Sequence, residues 1–217
     1  IHIAQTIDHG DPLQGGPVGL LRGFRVQQID RLGIAGCVNE HLADYADPVV
    51  GGGWGGVVAA VAAARQGAKV LILEKGICFG GTATCSQVCE IDGGYTKDGR
   101  CVLPRIGKEI IQRLIDRGAA RRDGYIPMSS DPDHGCDRIR FNPEELKLVM
   151  DNVVLEAGVT VLFNTAPQEI KQIGGGVEIA IGAPYTRISV FGKVLIDATG
   201  HSEAVYLLDP EADLHEL

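Results

Sequence analysis

No apolar run in this chain reaches the length of a membrane span, and no secretory leader is visible. There is no basic stripe either. Asp and Glu number 28 against 20 Lys and Arg, for a formal net charge of −8 with both signs dispersed. A nucleic-acid backbone would be repelled rather than gripped, so nucleic acid is not an expected partner, and neither is a membrane. The six cysteines, at 37, 78, 85, 89, 101 and 136, are scattered instead of forming a disulfide framework. Reduced thiols and a cytoplasmic setting are the expectation. No internal repeat or low-complexity tract is present. A chain of 217 residues can bury the core of one domain, with room for an inserted lobe.

What the chain does contain is concentrated between Val49 and Gly81. A short apolar strand runs into Gly51-x-Gly53-x-x-Gly56, a small-residue helix follows, and a second apolar strand ends in Glu74. Each part has a mechanical job in a dinucleotide site. Gly51 permits the tight strand-to-helix turn, Gly53 lets backbone approach a pyrophosphate, and Gly56 lets helix pack on strand. The free amides and positive dipole end of the helix then face the phosphates. Glu74 sits where a carboxylate can accept hydrogen bonds from ribose hydroxyls, and it disfavours a 2′-phosphate by like-charge repulsion. Gln66-Gly67 supplies the helix stop. Two residues depart from the pattern. Pro48 cannot donate to a sheet ladder, so the first strand is expected to start at Val49. Trp54 occupies a position where a small residue is more usual, and its ring is expected to face solvent or pack in part.

Along the rest of the chain, residues 1–44 carry no motif and are treated as an N-terminal extension, with some helical spacing from Leu20 to Ile34. Residues 45–217 form the dinucleotide-binding unit. Within it, 76–104 reads as a long loop. Ile106 to Ile115 has helical periodicity, and 118–140 is polar enough to suggest an exposed excursion. Asn142-Pro143-Glu144-Glu145 is a helix start, with a cap, a first-turn proline and acids at the positive dipole end. That helix stops at Gly158. Val159 to Phe163 is a third apolar strand. Gln168 to Ile173, Val177 to Ile181 and Arg187 to Phe191 read as an antiparallel meander with glycine turns. Lys193 to Ile196 is a last strand, running into Asp197-Ala198-Thr199-Gly200.

Glu74-Lys75-Gly76, then Gly80-Gly81-Thr82-Ala83-Thr84, and finally Asp197-Ala198-Thr199-Gly200 together resemble the FAD-dependent oxidoreductases of the glutathione-reductase-like, two-dinucleotide-fold type. Five segments resemble more closely the subgroup of these flavoproteins related to heterodisulfide reductase: Glu74 to Thr84, Tyr95 to Arg100, Arg105 to Leu114, Arg140 to Val149 and Val194 to Gly200. The resemblance spans about Tyr45 to Val205. It implies an α/β fold: a Rossmann-like, three-layer FAD-binding domain with a parallel sheet and an inserted β-meander, incomplete at its C-terminus. It implies FAD as cofactor, with Glu74 on the adenosine ribose, the Gly80-Gly81-Thr82 segment on the flavin side of the pyrophosphate, and the Ala-Thr-Gly turn approaching a second time. The expected cofactor set is Gly51, Gly53, Trp54, Gly55, Gly56, Glu74, Lys75, Gly80, Gly81, Thr82, Pro167, Ala198, Thr199 and Gly200.

The function implied is transfer of a hydride or electron pair through FAD, to or from a small-molecule substrate or an electron-transfer partner. Members of that family are about twice as long, so the chain is expected to be a fragment. Two other readings stand beside it: an NAD-binding dehydrogenase domain, which has no need of the Gly80 and Asp197 segments, and a truncated, non-catalytic remnant. Cys85 and Cys89 follow the flavin-side glycines but are spaced C-x3-C, not the C-x4-C of flavin-linked disulfide reductases. The same resemblance brings a 4Fe-4S cluster into consideration, with Cys78, Cys85, Cys89 and Cys101 as ligands, although no C-x2-C-x2-C run exists. His134, in Asp131-Pro-Asp-His-Gly-Cys136, fits a solvated loop better than a metal site. His201 follows the Ala-Thr-Gly turn and is read as a helix cap or a cofactor neighbour. No catalytic acid or base is singled out.

Overall fold

The computed structural model describes residues 2–6, 24–28, 47–103, 105–127, 135–183 and 186–211. Cys37, His134 and most of the N-terminal extension lie outside them. Strands β1 (His2–Thr6), β2 (Phe24–Gln28), β3 (Asp47–Val50), β4 (Val70–Leu73), β8 (Thr160–Phe163) and β12 (Ile196–Asp197) make one sheet in the order β12-β3-β4-β8-β1-β2. Its first four strands are parallel, while β1 and β2 add an antiparallel edge. Within Leu20 to Ile34, then, the described piece is a strand. Helices α1 (Trp54–Arg65), α2 (Arg105–Asp116) and α3 (Pro143–Glu156) pack on one face. The antiparallel meander β9 (Pro167–Ile173), β10 (Gly176–Ala183) and β11 (Thr186–Gly192) covers the other, with α4 (Glu203–Leu208) beside it. This is the three-layer α/β arrangement with parallel sheet and meander that the sequence implies.

Strand β3 starts at Asp47, two residues earlier than expected, and contains Pro48. Backbone parity explains why the proline is tolerated. The Asp47 and Gly51 amides donate to Lys69 O and Leu73 O on the β4 side. Val50, on the opposite parity, accepts from Ala198 N. Pro48 shares that parity, and the β12 ladder begins only at the Val49–Ile196 pair, so no donor is missed. At the other end of the sequence, β12 is Ile196–Asp197 and not Lys193 to Ile196; Val194 is 55 % exposed.

Two other expectations change. The 76–104 loop contains a 3-10 turn at Gly81–Ala83 and a strand, β5 (Glu90–Asp92). The described residues of the polar stretch after Gly118 are no excursion: β6 (Ala120–Pro127) and β7 (Gly135–Phe141) join β5 in a third sheet of order β5-β7-β6. Asp137, Ile139 and Phe141 alternate inward along β7 while Arg138 and Arg140 stand on the outer side. There Arg138 pairs with Asp92 at 2.7 Å, and Arg140 with Asp123 at 2.9 Å. That charged outer face is what makes the stretch read as loop. Phe141 ties this sheet to α1 through the ring of Trp54, 6.2 Å away.

Candidate dinucleotide site

The C-terminal ends of β3 and β4 open onto a cavity of about 650 Å3. Gly51 has φ +102°, and a Cβ there would lie 2.5 Å from Ala198 O, so only glycine permits the turn to sit against the last strand. A Cβ on Gly56 would stand 1.9 Å from Gly51 O; helix α1 therefore touches the turn backbone to backbone. Gly53 differs. Its backbone is extended, with φ −65° and ψ −177°, and a Cβ would meet no protein atom within 4 Å. The space it leaves faces the cavity. No side chain caps α1, and no acid sits in its first turn. The first amides of the helix, and its dipole, are thus available to an anion.

Glu74 is buried at the end of β4. Its Oε2 accepts from the Gly52 amide at 2.5 Å, and its Oε1 from the Gly76 amide at 2.5 Å. An ionised carboxylate offers about four acceptor positions, so two remain after these bonds fix its orientation. Thr165 N donates to Glu74 O, and Asn164 N to Gly76 O, stitching the end of β8 to the same corner. Lys75 stands 3.8 Å from Glu203 with most of its side chain in water. On the other flank Gly80 N donates to Gly52 O, bringing the Gly80-Gly81-Thr82 segment beside the glycine turn.

Asp197 organises the third segment. Its Oδ1 accepts from Thr199 N and Thr199 Oγ1 at 2.9 and 2.7 Å, and its Oδ2 accepts from the amides of Ala204 and Val205 at 2.9 and 3.0 Å. Burial works against its charge, but the Thr199 amide and hydroxyl and the two helix amides outweigh it and hold the carboxyl below its usual range. Asp197 thus acts as the cap of α4 and fixes the Ala198-Thr199-Gly200 turn at the cavity rim. His201 is exposed and outside the lining.

Of the residues singled out from sequence, Gly51, Gly53, Trp54, Gly55, Glu74 and Lys75 line the cavity. So do Gly80, Gly81, Thr82, Pro167, Ala198, Thr199 and Gly200. Gly56 is buried behind the turn. Sequence reasoning missed an apolar wall made of Val58, Val88, Ile91 and Leu103, together with Glu90. Val58 could have been found as the residue one helical turn beyond Trp54; Val88 to Leu103 carried no signal in a stretch read as loop.

The four-cysteine ligand set does not assemble. Cys78 and Cys85 approach to 3.7 Å between sulfurs, but Cys89 lies just before β5, and Cys101 is drawn into a bridge with Tyr95. Among the described residues no group of three or more His, Cys, Asp or Glu is placed to hold a metal. The described cysteines are free thiols. No helix among the described residues is long and apolar enough to cross a membrane.

Residues 48–211 match the model of one protein family, described as FAD dependent oxidoreductase. The chain belongs to that family. A search of curated proteins returns no match. Among solved structures, the fold is shared with THI4 of Thermovibrio ammonificans at 21 % identity and a TM-score of 0.54, covering 86 % of this chain and 72 % of that one. It is also shared with L-amino acid deaminase of Proteus myxofaciens in complex with anthranilate, at 16 % and 0.53, covering 79 % and 49 %. A third is glycerol-3-phosphate dehydrogenase of Bacillus halodurans complexed with FAD, at 14 % and 0.50, covering 80 % and 38 %. The chain therefore spans half or less of the last two. At these identities the likeness concerns the fold alone.

Proposed function

We propose that this cavity holds FAD and that the chain is the dinucleotide-binding part of an oxidoreductase acting on a small-molecule substrate or an electron-transfer partner. One observation carries the reading: the uncapped amides of α1, the open space at Gly53 and the anchored Glu74 carboxylate all face one cavity. Those are the amide donors a pyrophosphate requires and the carboxylate acceptor a ribose requires. When bound, FAD supplies two-electron redox chemistry, and the protein supplies position and electrostatics. Gly53 and Gly55 bring backbone to the phosphates, and Glu74 accepts from the ribose. Thr165 to Pro167 border the ribose end, Gly80 to Thr82 the opposite flank, and Ala198 to Gly200 close the rim. The apolar wall of Val58, Ile91 and Leu103 keeps water from one side of the site.

The segments Glu74 to Thr84, Tyr95 to Arg100 and Arg140 to Val149 favour the subgroup related to heterodisulfide reductase as the finer placement. The test is the visible spectrum of the purified chain, before and after FAD is added and the excess removed. Retained flavin bands are expected. A colourless protein that takes up no FAD overturns the reading.

A further inference from the structure

Cys78 and Cys85 stand at the two feet of the loop whose middle, Gly80 to Ala83, lines the cavity. The turn between them brings the feet together. Ala83 N donates to Gly80 O at 3.1 Å, and Thr84 N and Cys85 N donate to Gly81 O at 3.1 and 2.7 Å. The result is a separation of 3.7 Å between the two sulfurs. Thr84 is buried; its hydroxyl donates to Phe79 O at 2.6 Å and lies 3.9 Å from each sulfur. The backbone on both sides is thus pinned while the thiols face one another. Neither cysteine borders the cavity; Cys85 is exposed and Cys78 half-buried, so a solute reaches the pair from outside. Burial pushes the Cys78 thiol up from its ordinary value, the hydrogen bond with Cys85 adds to that, and the Lys147 ammonium, held by Glu144 at 2.7 Å, offsets only part of it.

We propose that Cys78 and Cys85 are a reversible dithiol–disulfide pair, a redox-modification site at the foot of the cavity loop. This pairing is not the Cys85–Cys89 spacing, and it brackets the Gly80-Gly81-Thr82 segment instead of following it. The oxidant is a low-molecular-weight disulfide such as oxidised glutathione. The Cys85 thiolate attacks one of its sulfurs, forming a mixed disulfide and releasing one glutathione thiolate. The Cys78 thiolate then attacks the Cys85 sulfur, the protein disulfide forms, and the second glutathione leaves. Two protein thiols are oxidised, one glutathione disulfide is reduced to two thiols, and the two protons pass through solvent to the departing thiolates. The sulfurs need to close from 3.7 Å to about 2.0 Å, within reach of a side-chain torsion at exposed Cys85.

Trypsin releases residues 76–97 as one peptide holding Cys78, Cys85 and Cys89. The experiment uses the full chain carrying Cys89→Ser, a change at an exposed position. It is treated with oxidised glutathione, alkylated with iodoacetamide and digested. The peptide is expected to lose the mass of two hydrogens and to resist alkylation, and dithiothreitol should restore labelling at both cysteines. Adding Cys78→Ser should instead leave a glutathionyl group on Cys85. The proposal is overturned if both thiols stay alkylatable or if Cys85 stops at the glutathionyl adduct in the presence of Cys78. A disulfide that maps to Cys89 in the unsubstituted chain overturns it too. The assay needs no flavin, so its outcome is separate from that of the FAD test.

Discussion

The two faces of the main sheet are packed on different plans, and β4 displays both. Val70 and Ile72 belong to the core beneath the helices, while Leu71 and Leu73 belong to the core beneath the meander. All four are buried, as a parallel sheet covered on both sides demands. On the helix face the contact nearest the cavity is backbone against backbone, at Gly56 and Gly51. On the meander face it is side chain against side chain: Ile170, Val177, Ile179, Ile181 and Val190 fill the space above the strands. The difference follows from the cavity. Its phosphate-facing wall consists of amides, and amides are presented only where glycine removes the side chains that would cover them. The meander has no such duty and is built by ordinary apolar filling.

The largest expected effect comes from breaking the backbone contact. Gly56→Ala puts a Cβ 1.9 Å from Gly51 O, and neither atom belongs to a flexible side chain. Helix and turn must separate, at a cost of about 3 kcal/mol or more. Urea unfolding should show a midpoint far below that of the unsubstituted chain, and an unchanged midpoint would show that the helix face is looser than its geometry implies.

Gly53→Ala sharpens the comparison, because the same motif has a residue whose missing side chain serves only the cavity. Its backbone is accessible to alanine, and the added methyl meets no protein atom within 4 Å. Stability should stay within about 0.5 kcal/mol. Retention of FAD should weaken by about tenfold or more, which corresponds to roughly 1.4 kcal/mol. Titration of flavin fluorescence against each protein measures it. Equal affinity for the two proteins would place the phosphates elsewhere.

The helix face was readable because its reasons are local. The glycine spacing, the run of Ala and Val in α1 and the Asn142 cap each state their role within a few residues; Asn142 Oδ1 does accept from Glu144 N at 2.9 Å. The meander was readable from glycine turns between apolar runs, to within a residue or two at each end. The β5-β7-β6 sheet was not. Along β7 the inward positions include Asp137, whose carboxylate pairs with Arg122 at 2.6 Å, and that charge interrupts the apolar alternation that would have marked a strand. Trp54 illustrates the same limit. Its partner Phe141 is distant in sequence and close only after β7 has folded beside α1. The approach of Cys78 to Cys85 depends on a turn that spacing alone does not announce. Contacts that require the β5-β7-β6 sheet or the loop's internal hydrogen bonds were the part hidden from sequence.

A smaller effect separates the two faces by pH. Asp151 lies on α3, half-buried beside the fully buried Met150, and burial pushes its carboxyl up to about 6. A carboxyl raised in the folded state disfavours its own ionisation there. Its contribution to stability is therefore fully present below the unfolded value of about 4 and is lost as pH rises through about 6. Asp151→Asn should raise stability at pH 8 by about 1 kcal/mol, less than the whole shift represents because water still reaches part of the group. At pH 4 the two proteins should unfold at nearly the same urea concentration. Ile179, fully buried under the meander, carries no titratable group, so Ile179→Val should cost the same about 1 kcal/mol at either pH. If the Asp151→Asn gain is equal at pH 4 and pH 8, it arises from packing and not from charge, and the helix face then holds no pH-dependent strain at this position.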